Sequence, residues 1–346
     1  MRDDLPRRGA DAAGRASGGG AVSEGSPADR LARLADGYLV TQLLHAAVEL
    51  GLADALGDGE RDAGELAAEV GADAGVLERV LRGLAAEGVL DERPGRRFAL
   101  TELGRLLRAD HPESLRGPVL VRGRLYYRAM AGLPAAARDG GTPFDAAHGR
   151  PFFDHLAAHP DEGAAFQAAM AARSRREAAA VVGAYDFSDV RSLVDVGGGS
   201  GVLLAAVLDA HPGVAGTLFD RPEVVERSGL PAVGGDFFTG VPAGADAYLL
   251  SRVVHDWDDD EALAILRTCR RAMAPSAVLL LVEALLPERA TDDPAAVRMD
   301  LHVLALLHGR ERTRAEYEAL LAAAGLRLGA VVPAGGVHVL EARPTP

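Results

Sequence analysis

The sequence of 346 residues contains no lysine, so every basic side chain is an arginine. Without lysine the chain cannot form a Schiff base, use a lysine as general base, or build the phosphate-binding loop of the P-loop proteins. A single cysteine, Cys269, excludes an internal disulfide and a cysteine-based zinc site. No uninterrupted apolar run reaches the ~20 residues that cross a bilayer, and the N-terminus lacks the apolar stretch of a secretory signal. These absences predict a cytoplasmic protein.

The chain is long enough for two domains of ordinary size. Residues 1–27 have no hydrophobic periodicity and are predicted to form a disordered tail. Residues 28–110 show helical periodicity and then GVLDERPGRRFALTELG, which predicts two short strands around a Pro-Gly turn. Three helices and a small hairpin indicate a winged helix. Residues 111–185 continue as helices, interrupted by GGTPFDAAHGRPF.

The pattern changes in residues 186–346, where short apolar runs alternate with helical segments. This alternation predicts an α/β fold in which a mostly parallel sheet is covered by helices on both faces. The last segment, LRLGAVVPAGGVHVLEAR, predicts a hairpin with a loop that contains Pro and Gly. We therefore expect the sheet to end with an antiparallel strand.

A glycine-rich loop follows the first predicted strand of this sheet. Asp195, Gly197, Gly199 and Gly201 form the pattern D-x-G-x-G-x-G in LVDVGGGSGVLL. Ligands of open parallel sheets bind beyond the carboxyl ends of the strands, where glycine lets the backbone approach them closely. A tight turn without a ligand is the alternative. A nicotinamide fingerprint fits poorly, because the position of its third glycine is Val202.

Acidic residues also occur at the ends of the next two predicted strands. Asp220 ends the second strand, where a carboxylate can accept both hydroxyls of a ribose. Asp236 ends the third strand, where it can accept from an exocyclic amine while Phe237 covers an adenine face. Capping of the following helix is the alternative for Asp220. Ribose and adenine recognition without a phosphate cradle indicates S-adenosylmethionine.

Residues 190–340 resemble the catalytic domain of S-adenosylmethionine-dependent O-methyltransferases of small molecules, of the plant phenolic and bacterial polyketide-tailoring type. The matching stretches are LVDVGGGSGVLL, LFDRPEVV, GDFF, SRVVHDWDDDEALAILRTCRRAM, LLLVEALLP and GRERTRAEYEALLAAAGL. The resemblance implies a Rossmann-like class I methyltransferase sheet, preceded by a winged-helix domain that forms a homodimer. It also implies that the glycine loop contacts the methionine portion of the donor, Asp220 the ribose, and Asp236 with Phe237 the adenine. Ser251 stands where the plant branch has a lysine.

The resemblance makes His255, in VVHDW, the general base. A phenol with a pKa near 10 is mostly neutral at pH 7, and a neutral imidazole can take its proton as the methyl group transfers. Glu283 and Glu311 match the two glutamates that flank this base in the family. Glu283 lies in an apolar strand, so we expect it to have a polar partner. For Glu311, a charge at a helix start near Thr313 is the alternative.

Other residues near this motif are predicted to have structural or binding roles. Asp256 and Asp258, in the acidic stretch DWDDDEAL, are predicted to cap the following helix. No metal is required for the reaction. The acceptor pocket is predicted between the domains, with a small aromatic or polyketide-like acceptor. The residues that match pocket-lining segments of the family are Phe153, Phe166, Met170, Met299, Asp300 and His302.

Two alternative functions are open at this stage. Some members of this family bind the donor without methylating and act as hydroxylases, decarboxylases or cyclases. A winged helix could instead belong to a transcription regulator, but residues 29–108 carry ten Arg against fifteen Asp and Glu. Binding to DNA depends on neutralising phosphates, so an acidic winged helix disfavours this reading. We therefore expect neither nucleic acid nor a membrane as a partner.

Overall fold

A computed structural model describes residues 26–226 and 228–346. The predicted disordered tail lies outside these residues except for its last two positions. The chain forms two units, divided between Val40 and Thr41. In the first unit a capping box between Ser26 and Asp29 starts helix α1 (Pro27–Ala35). Within the described ranges, no helix has both the length and the apolar character needed to cross a membrane.

The N-terminal region is mainly helical and carries the predicted hairpin. Its further elements are α2 (Gly37–Glu49), α3 (Leu52–Leu56), β1 (Glu60–Asp62), α4 (Ala63–Val70), α5 (Ala74–Ala86), β2 (Leu90–Arg93), β3 (Arg97–Leu100) and α6 (Glu102–Arg105). Strands β2 and β3 pair antiparallel around the Pro-Gly turn, and β1 adds to the other edge of β3. Phe98 and Leu81 are fully buried in the core beneath this sheet.

Helices fill the middle of the chain. They are α7 (Arg116–Val121), α8 (Tyr127–Met130), α9 (Leu133–Asp139), α10 (Pro143–His148), α11 (Phe152–Ala158) and α12 (Pro160–Ala184), with a π-helical turn at Arg122–Tyr126. Helix α10 lies in the segment that was predicted to interrupt the helices, and the interruption is confined to residues 140–142 and 149–151 on either side of it. Pro143 in the first turn and Gly149, left-handed at φ 72°, just after the last turn are the ordinary signals of such a helix.

The C-terminal region alternates strands and helices as predicted. Its elements are β4 (Ser192–Val196), α13 (Val202–Ala210), β5 (Ala215–Asp220), α14 (Pro222–Val225), β6 (Ala232–Gly234), β7 (Ala247–Ser251), a 3₁₀ turn (Val254–Asp256), α15 (Asp259–Ala272), β8 (Val278–Glu283), β9 (Leu285–Leu286), α16 (Pro294–Leu306), β10 (Arg312–Thr313), α17 (Arg314–Ala323), β11 (Leu326–Ala334) and β12 (Val337–Pro344).

One large sheet organises this region. In the described part of the chain seven strands follow the order β11-β12-β8-β7-β4-β5-β6. Strands β4 to β8 run parallel, whereas β12 pairs antiparallel with both β8 and β11. The predicted α/β class and antiparallel end of the sheet are confirmed.

Apolar helices cover both faces of the sheet. Leu266 of α15 and Leu321 of α17 belong to the buried cluster on one face, and Val181 of α12 and Leu204 of α13 belong to the cluster on the other. Burying a side chain of this size contributes about 1.5–3 kcal/mol. Because β4, β5, β7 and β8 are parallel neighbours, their carboxyl ends meet at one edge, where the predicted site residues lie.

Candidate active site

The glycine loop turns sharply between β4 and α13. Gly197, Gly199 and Gly201 all have left-handed backbones, with φ of 69°, 59° and 74°. A side chain at Gly201 would place its Cβ 2.5 Å from a methyl carbon of Leu230, so this glycine makes room for packing. A Cβ at Gly199 would meet open space, and Gly197 and Gly199 both line a cavity. The loop therefore exposes its backbone to whatever the cavity binds.

Asp195 contributes a buried carboxylate to the same cavity. Its side chain is 1% exposed, and its Oδ1 has no hydrogen-bond partner among the described residues. Burial, with a smaller contribution from the charge of Asp220, raises the pKa of Asp195 to about 7. An unpaired carboxylate oxygen is costly in such a place unless a ligand supplies a donor. Its position fits the ammonium or hydroxyl donors of an amino-acid nucleoside.

The carboxylate of Asp220 is directed back to the glycine loop. Its Oδ2 accepts from the N–H of Gly199 at 2.8 Å, and its Oδ1 accepts from the N–H of Arg221 at 2.7 Å. The N-cap position of α14 is occupied by Arg221, which makes no side-chain cap. Helix capping by Asp220 is therefore wrong.

Asp236 and Phe237 follow the end of β6. Asp236 is exposed, and its Oδ1 accepts from the N–H of Phe238 at 2.9 Å. The ring of Phe237 lies 5.8 Å from that of Trp257, edge to face, and a Cβ at Gly197 would be 3.5 Å from it. Phe237 thus borders the glycine loop, although neither Asp236 nor Phe237 lines the cavity itself.

His255 lies in the 3₁₀ turn that follows β7, and it lines the cavity. Its Nδ1 is 2.9 Å from Oε1 of Glu311 and 3.8 Å from Oε2 of Glu283. Burial lowers the pKa of His255, but the carboxylates of Glu283, Asp256 and Glu311 outweigh it and raise the pKa to about 9. The contact to Glu311 engages Nδ1, and Nε2, which is next to Asp256, is the second nitrogen that can exchange a proton.

Glu283 ends β8 and is fully buried. Its Oε1 accepts from the N–H groups of Val253 and Val254 at 3.2 and 2.9 Å, so the expected polar partners are present. Burial raises its pKa to about 7. Glu283 thereby fixes the start of the turn that carries His255.

Glu311 is also fully buried. Its N–H donates to Oδ1 of Asp300 at 2.9 Å, while its side chain contacts His255. The start of α17 is capped by Thr313 in a capping box with Glu316. The alternative role of Glu311 as a charge at that helix start is therefore wrong.

Asp256 and Asp258 have different roles. Asp258 caps α15 by accepting from the N–H of Glu261, as predicted. Asp256 does not cap a helix, because it belongs to the 3₁₀ turn, where its Oδ1 lies 3.2 Å from Nε2 of His255. The carboxylate of Glu311 at Nδ1 and that of Asp256 at Nε2 explain why the protonated form of His255 is favoured.

The cavity has a volume of about 250 Å³ and joins the glycine loop to His255. Of the predicted donor- and acceptor-site residues beyond the glycine loop, it is lined by Ser251, Phe153, Phe166, Met170, Met299 and His302. Asp300 is not among the lining residues. Lining residues that the sequence did not predict include Tyr126, Arg173, Glu177 and Arg252. Burial, then the charges of nearby arginines, lowers the pKa of His302 to about 4, so it is neutral near pH 7.

His255, Glu283 and Glu311 also meet a distance criterion for a cation site. One ligand atom from each lies within 4.8 Å of the others. Two backbone N–H groups already donate to Glu283, and the guanidinium of Arg252 donates to Glu311 at 3.2 Å. Because these carboxylate oxygens already accept hydrogen bonds from the protein, the arrangement fits carboxylates that orient an imidazole better than ligands of a metal ion. The prediction that no metal is required stays a prediction.

Comparisons with known proteins agree with the fold and the site. A family model described as an O-methyltransferase domain matches residues 130–327, and one described as an O-methyltransferase dimerisation domain matches residues 32–110. The phenazine O-methyltransferase PhzM of Lysobacter antibioticus is 42% identical over 91% of this chain and 95% of its own length. The aclacinomycin 10-hydroxylase RdmB of Streptomyces purpurascens is 36% identical over 84% of this chain and 83% of its own.

A solved structure supplies a relative with bound ligands. The O-methyltransferase NcsB1 from neocarzinostatin biosynthesis, in complex with S-adenosylmethionine and 2-hydroxy-5-methyl naphthoic acid, is 34% identical. It superposes with a TM-score of 0.78 over 88% of this chain and 96% of its own. The fold is thus that of a class I methyltransferase with a mainly helical dimerisation domain. This chain belongs to the family of S-adenosylmethionine-dependent O-methyltransferases that act in bacterial secondary metabolism.

Proposed function

We propose that this enzyme methylates a phenolic hydroxyl of a small aromatic metabolite, with His255 as the general base. The observation that carries the proposal is that one cavity joins the glycine loop to an imidazole whose Nδ1 is 2.9 Å from a buried carboxylate. The carboxylate of Glu311 stabilises the imidazolium that forms, and Nε2 takes the proton of the acceptor hydroxyl.

We propose that the donor is held at the carboxyl ends of β4, β5 and β7. Gly197 and Gly199 lie against its methionine portion, the unpaired Oδ1 of Asp195 accepts from it, and Ser251 borders it. Asp220 holds the ribose, and Asp236 with Phe237 holds the adenine. When bound, S-adenosylmethionine supplies an electrophilic methyl group on a sulfonium. A hydrogen bond from the acceptor hydroxyl to His255 orients the acceptor oxygen in the cavity.

The acceptor is flat and largely apolar. Phe153, Phe166, Met170 and Met299 supply aromatic rings and flexible thioethers to the cavity wall, and His302 supplies a neutral polar group. The relative that binds a methylated hydroxynaphthoic acid supports an aromatic acceptor of this size. The region matched by the dimerisation model supports a homodimer.

An acceptor screen tests this function. Purified enzyme with S-adenosylmethionine is incubated with a library of phenols, naphthols and phenazinols, and products are read by mass spectrometry for the gain of one methyl group. We expect methylation on oxygen. A second candidate, a non-methylating reaction, is favoured by the likeness to the hydroxylase RdmB. Tight binding of the donor with oxidised or decarboxylated products and no methylated ones supports this second candidate.

We expect Asp220→Ala to weaken the binding of both S-adenosylmethionine and S-adenosylhomocysteine at least about tenfold. The change removes a charged acceptor from the ribose and frees the N–H of Gly199, and a lost charged hydrogen bond costs about 1.5–3 kcal/mol. Calorimetry measures both affinities. Asp220→Asn retains an acceptor for Gly199 and should lose less, whereas Asp209→Ala, on the exposed end of α13, should leave binding unchanged. Equal affinities for wild type and Asp220→Ala contradict this role of Asp220.

We expect kcat/KM to rise with pH until about pH 9, because the free enzyme must lose the proton of His255 before the imidazole can act as a base. Glu311→Gln removes a carboxylate that stabilises the imidazolium, so its rising limb should lie at lower pH by about one unit or more. Both profiles are measured with the same acceptor, so that the ionisation of the phenol cancels in the difference between wild type and variant. A wild-type limb near pH 6.5, or no displacement in the variant, contradicts this assignment.

A further inference from the structure

Arg252 has an unusual backbone for a side chain of its size. It is one of two non-glycine residues in the described ranges with a left-handed backbone, at φ 56°, the other being Arg96 on the exposed turn between β2 and β3. Arg252 follows β7 directly, and its N–H donates to the carbonyl of Val282 at 3.0 Å. A left-handed conformation is strained for a residue with a Cβ, so the surroundings must hold it in place.

The guanidinium of Arg252 bridges two carboxylates from distant parts of the chain. Its Nη2 donates to Oε1 of Glu177 at 2.8 Å, and its Nη1 donates to Oε1 of Glu311 at 3.2 Å. That oxygen of Glu311 is the same atom that lies 2.9 Å from Nδ1 of His255. Glu177 accepts in addition from Nε of Arg173, one turn earlier on α12. A chain of alternating charges therefore runs from the cavity wall to the imidazole.

These groups are shielded from solvent. The side chains of Arg252 and Glu177 are 15% and 17% exposed, and that of Glu311 is 0% exposed. Although burial raises the pKa of Glu177, the charges of Arg173 and Arg252 outweigh it and lower the pKa. In such surroundings charge pairs interact more strongly than at the surface, and a carboxylate left without its partner is costly.

We propose that Arg252 is a positioning residue, whose guanidinium, anchored to Glu177 on α12, holds Oε1 of Glu311 and offsets the negative charge that this carboxylate places on His255. The inference rests on the proposed role of His255. The carboxylates that face this imidazole are Asp256 on its own turn, Glu283 at the end of β8 and Glu311 before β10, and the guanidinium of Arg252 contacts Glu311. Two further arginines are near the turn: the charge of Arg173 acts on Asp256, and Arg312 donates to the carbonyls of Val254 and Trp257.

Removing the guanidinium of Arg252 leaves the negative charge of Glu311 without the positive charge that offsets it. We expect Arg252→Met to raise the titration midpoint of His255 by about one pH unit, because an additional uncompensated negative charge favours the imidazolium. The fraction of neutral base at pH 7 then falls about tenfold, and kcat/KM falls with it while KM for the donor stays unchanged. Arg252→Lys restores a cation and should bring the midpoint back toward the wild-type value.

Histidine NMR titration of the full-length protein measures the midpoint without any acceptor, with the His255 signal assigned from its absence in His255→Gln. Arg252→Gly removes the guanidinium and also relieves the backbone strain, so its comparison with Arg252→Met isolates the effect of the strain. It also provides a folded variant if Arg252→Met does not fold. Arg96→Met is the matched control, since it removes an exposed arginine of the same backbone conformation that does not line the cavity.

The proposal requires a higher titration midpoint of His255 in Arg252→Met or Arg252→Gly. The midpoint should recover in Arg252→Lys, and it should not change in Arg96→Met. An unchanged or lower midpoint in folded Arg252→Gly overturns it. This outcome is distinguishable from failure of the proposed function, which is seen instead as absence of donor binding or of methylated product in the wild type.

Discussion

Replacing His255 by alanine is expected to lower turnover by at least about 100-fold while leaving the affinity for S-adenosylmethionine nearly unchanged. A positioned general base contributes about 10²–10⁴ to the rate, and the acceptor hydroxyl would have to lose its proton to water in its absence. The donor is proposed to contact the glycine loop and the acidic residues at the strand ends rather than this imidazole, so its binding should persist. Turnover is measured with an acceptor that the wild-type enzyme methylates, and the affinity for the donor is measured by calorimetry.

A second histidine provides the control for this experiment. The side chain of His308 is 63% exposed and does not line the cavity, so His308→Gln should retain full turnover. His255→Gln is a useful companion, because it keeps a polar side chain but cannot accept the proton in the same way. An unchanged turnover number in His255→Ala would show that another group takes the proton.

Gly309→Ala is expected to disrupt the site from a residue that does not line the cavity. A Cβ at Gly309 would lie 2.0 Å from the carbonyl oxygen of His255, 2.3 Å from the carbonyl carbon of Asp256 and 2.6 Å from the backbone nitrogen of Trp257. All three atoms belong to backbone, so no side chain can rotate away. The 3₁₀ turn and the segment that carries Gly309 must move apart, which displaces the imidazole of His255 relative to Glu311.

The displaced turn also loses its contacts to Arg312. This arginine is 1% exposed and donates to the carbonyl of Val254 at 3.1 Å and to that of Trp257 at 2.9 Å. We expect Gly309→Ala to reduce the free energy of unfolding by about 3 kcal/mol. In protein that remains folded, turnover should fall about 100-fold, since a displacement of about 1 Å in a reacting group has this effect.

Chemical denaturation measures the loss of stability, and a turnover assay at a temperature where the variant is folded measures the loss of activity. Gly213→Ala is the matched control, because a Cβ there meets nothing within 4 Å. It should leave both quantities close to wild type. A variant Gly309→Ala with normal stability and turnover contradicts the close packing on which the geometry of His255 depends.

The candidate site residues that the structure brings together are those with a local signal in the sequence. The glycine loop follows an apolar strand, and Asp220 ends the next one, so strand order alone brings them together. His255 was identified through a motif, and the need of Glu283 for a polar partner followed from an acid in an apolar strand. Each of these inferences depends on neighbours in the sequence.

The predictions that were wrong concern choices between close alternatives. Asp256 and Asp258 are both ordinary capping residues, and only the register of the 3₁₀ turn decides that Asp258 caps α15 while Asp256 faces His255. The capping box of α17 uses Thr313 and Glu316, which releases Glu311 for the imidazole. Sequence preferences cannot tell which of these acidic residues caps a helix, because each of them fits the general preference for acidic residues at a helix start.

The sequence by itself determined that a mainly helical region precedes alternating strands and helices, and it determined the doubly covered sheet, the glycine loop and the absence of any lysine chemistry. These properties follow from hydrophobic periodicity, from the backbone freedom of glycine and from composition, all of which are local. The tertiary structure alone decided that Arg252 meets Glu177, 75 positions away, and that Gly309 packs against the carbonyl of His255. Such contacts depend on how whole elements pack around a common core, which no short stretch of sequence encodes.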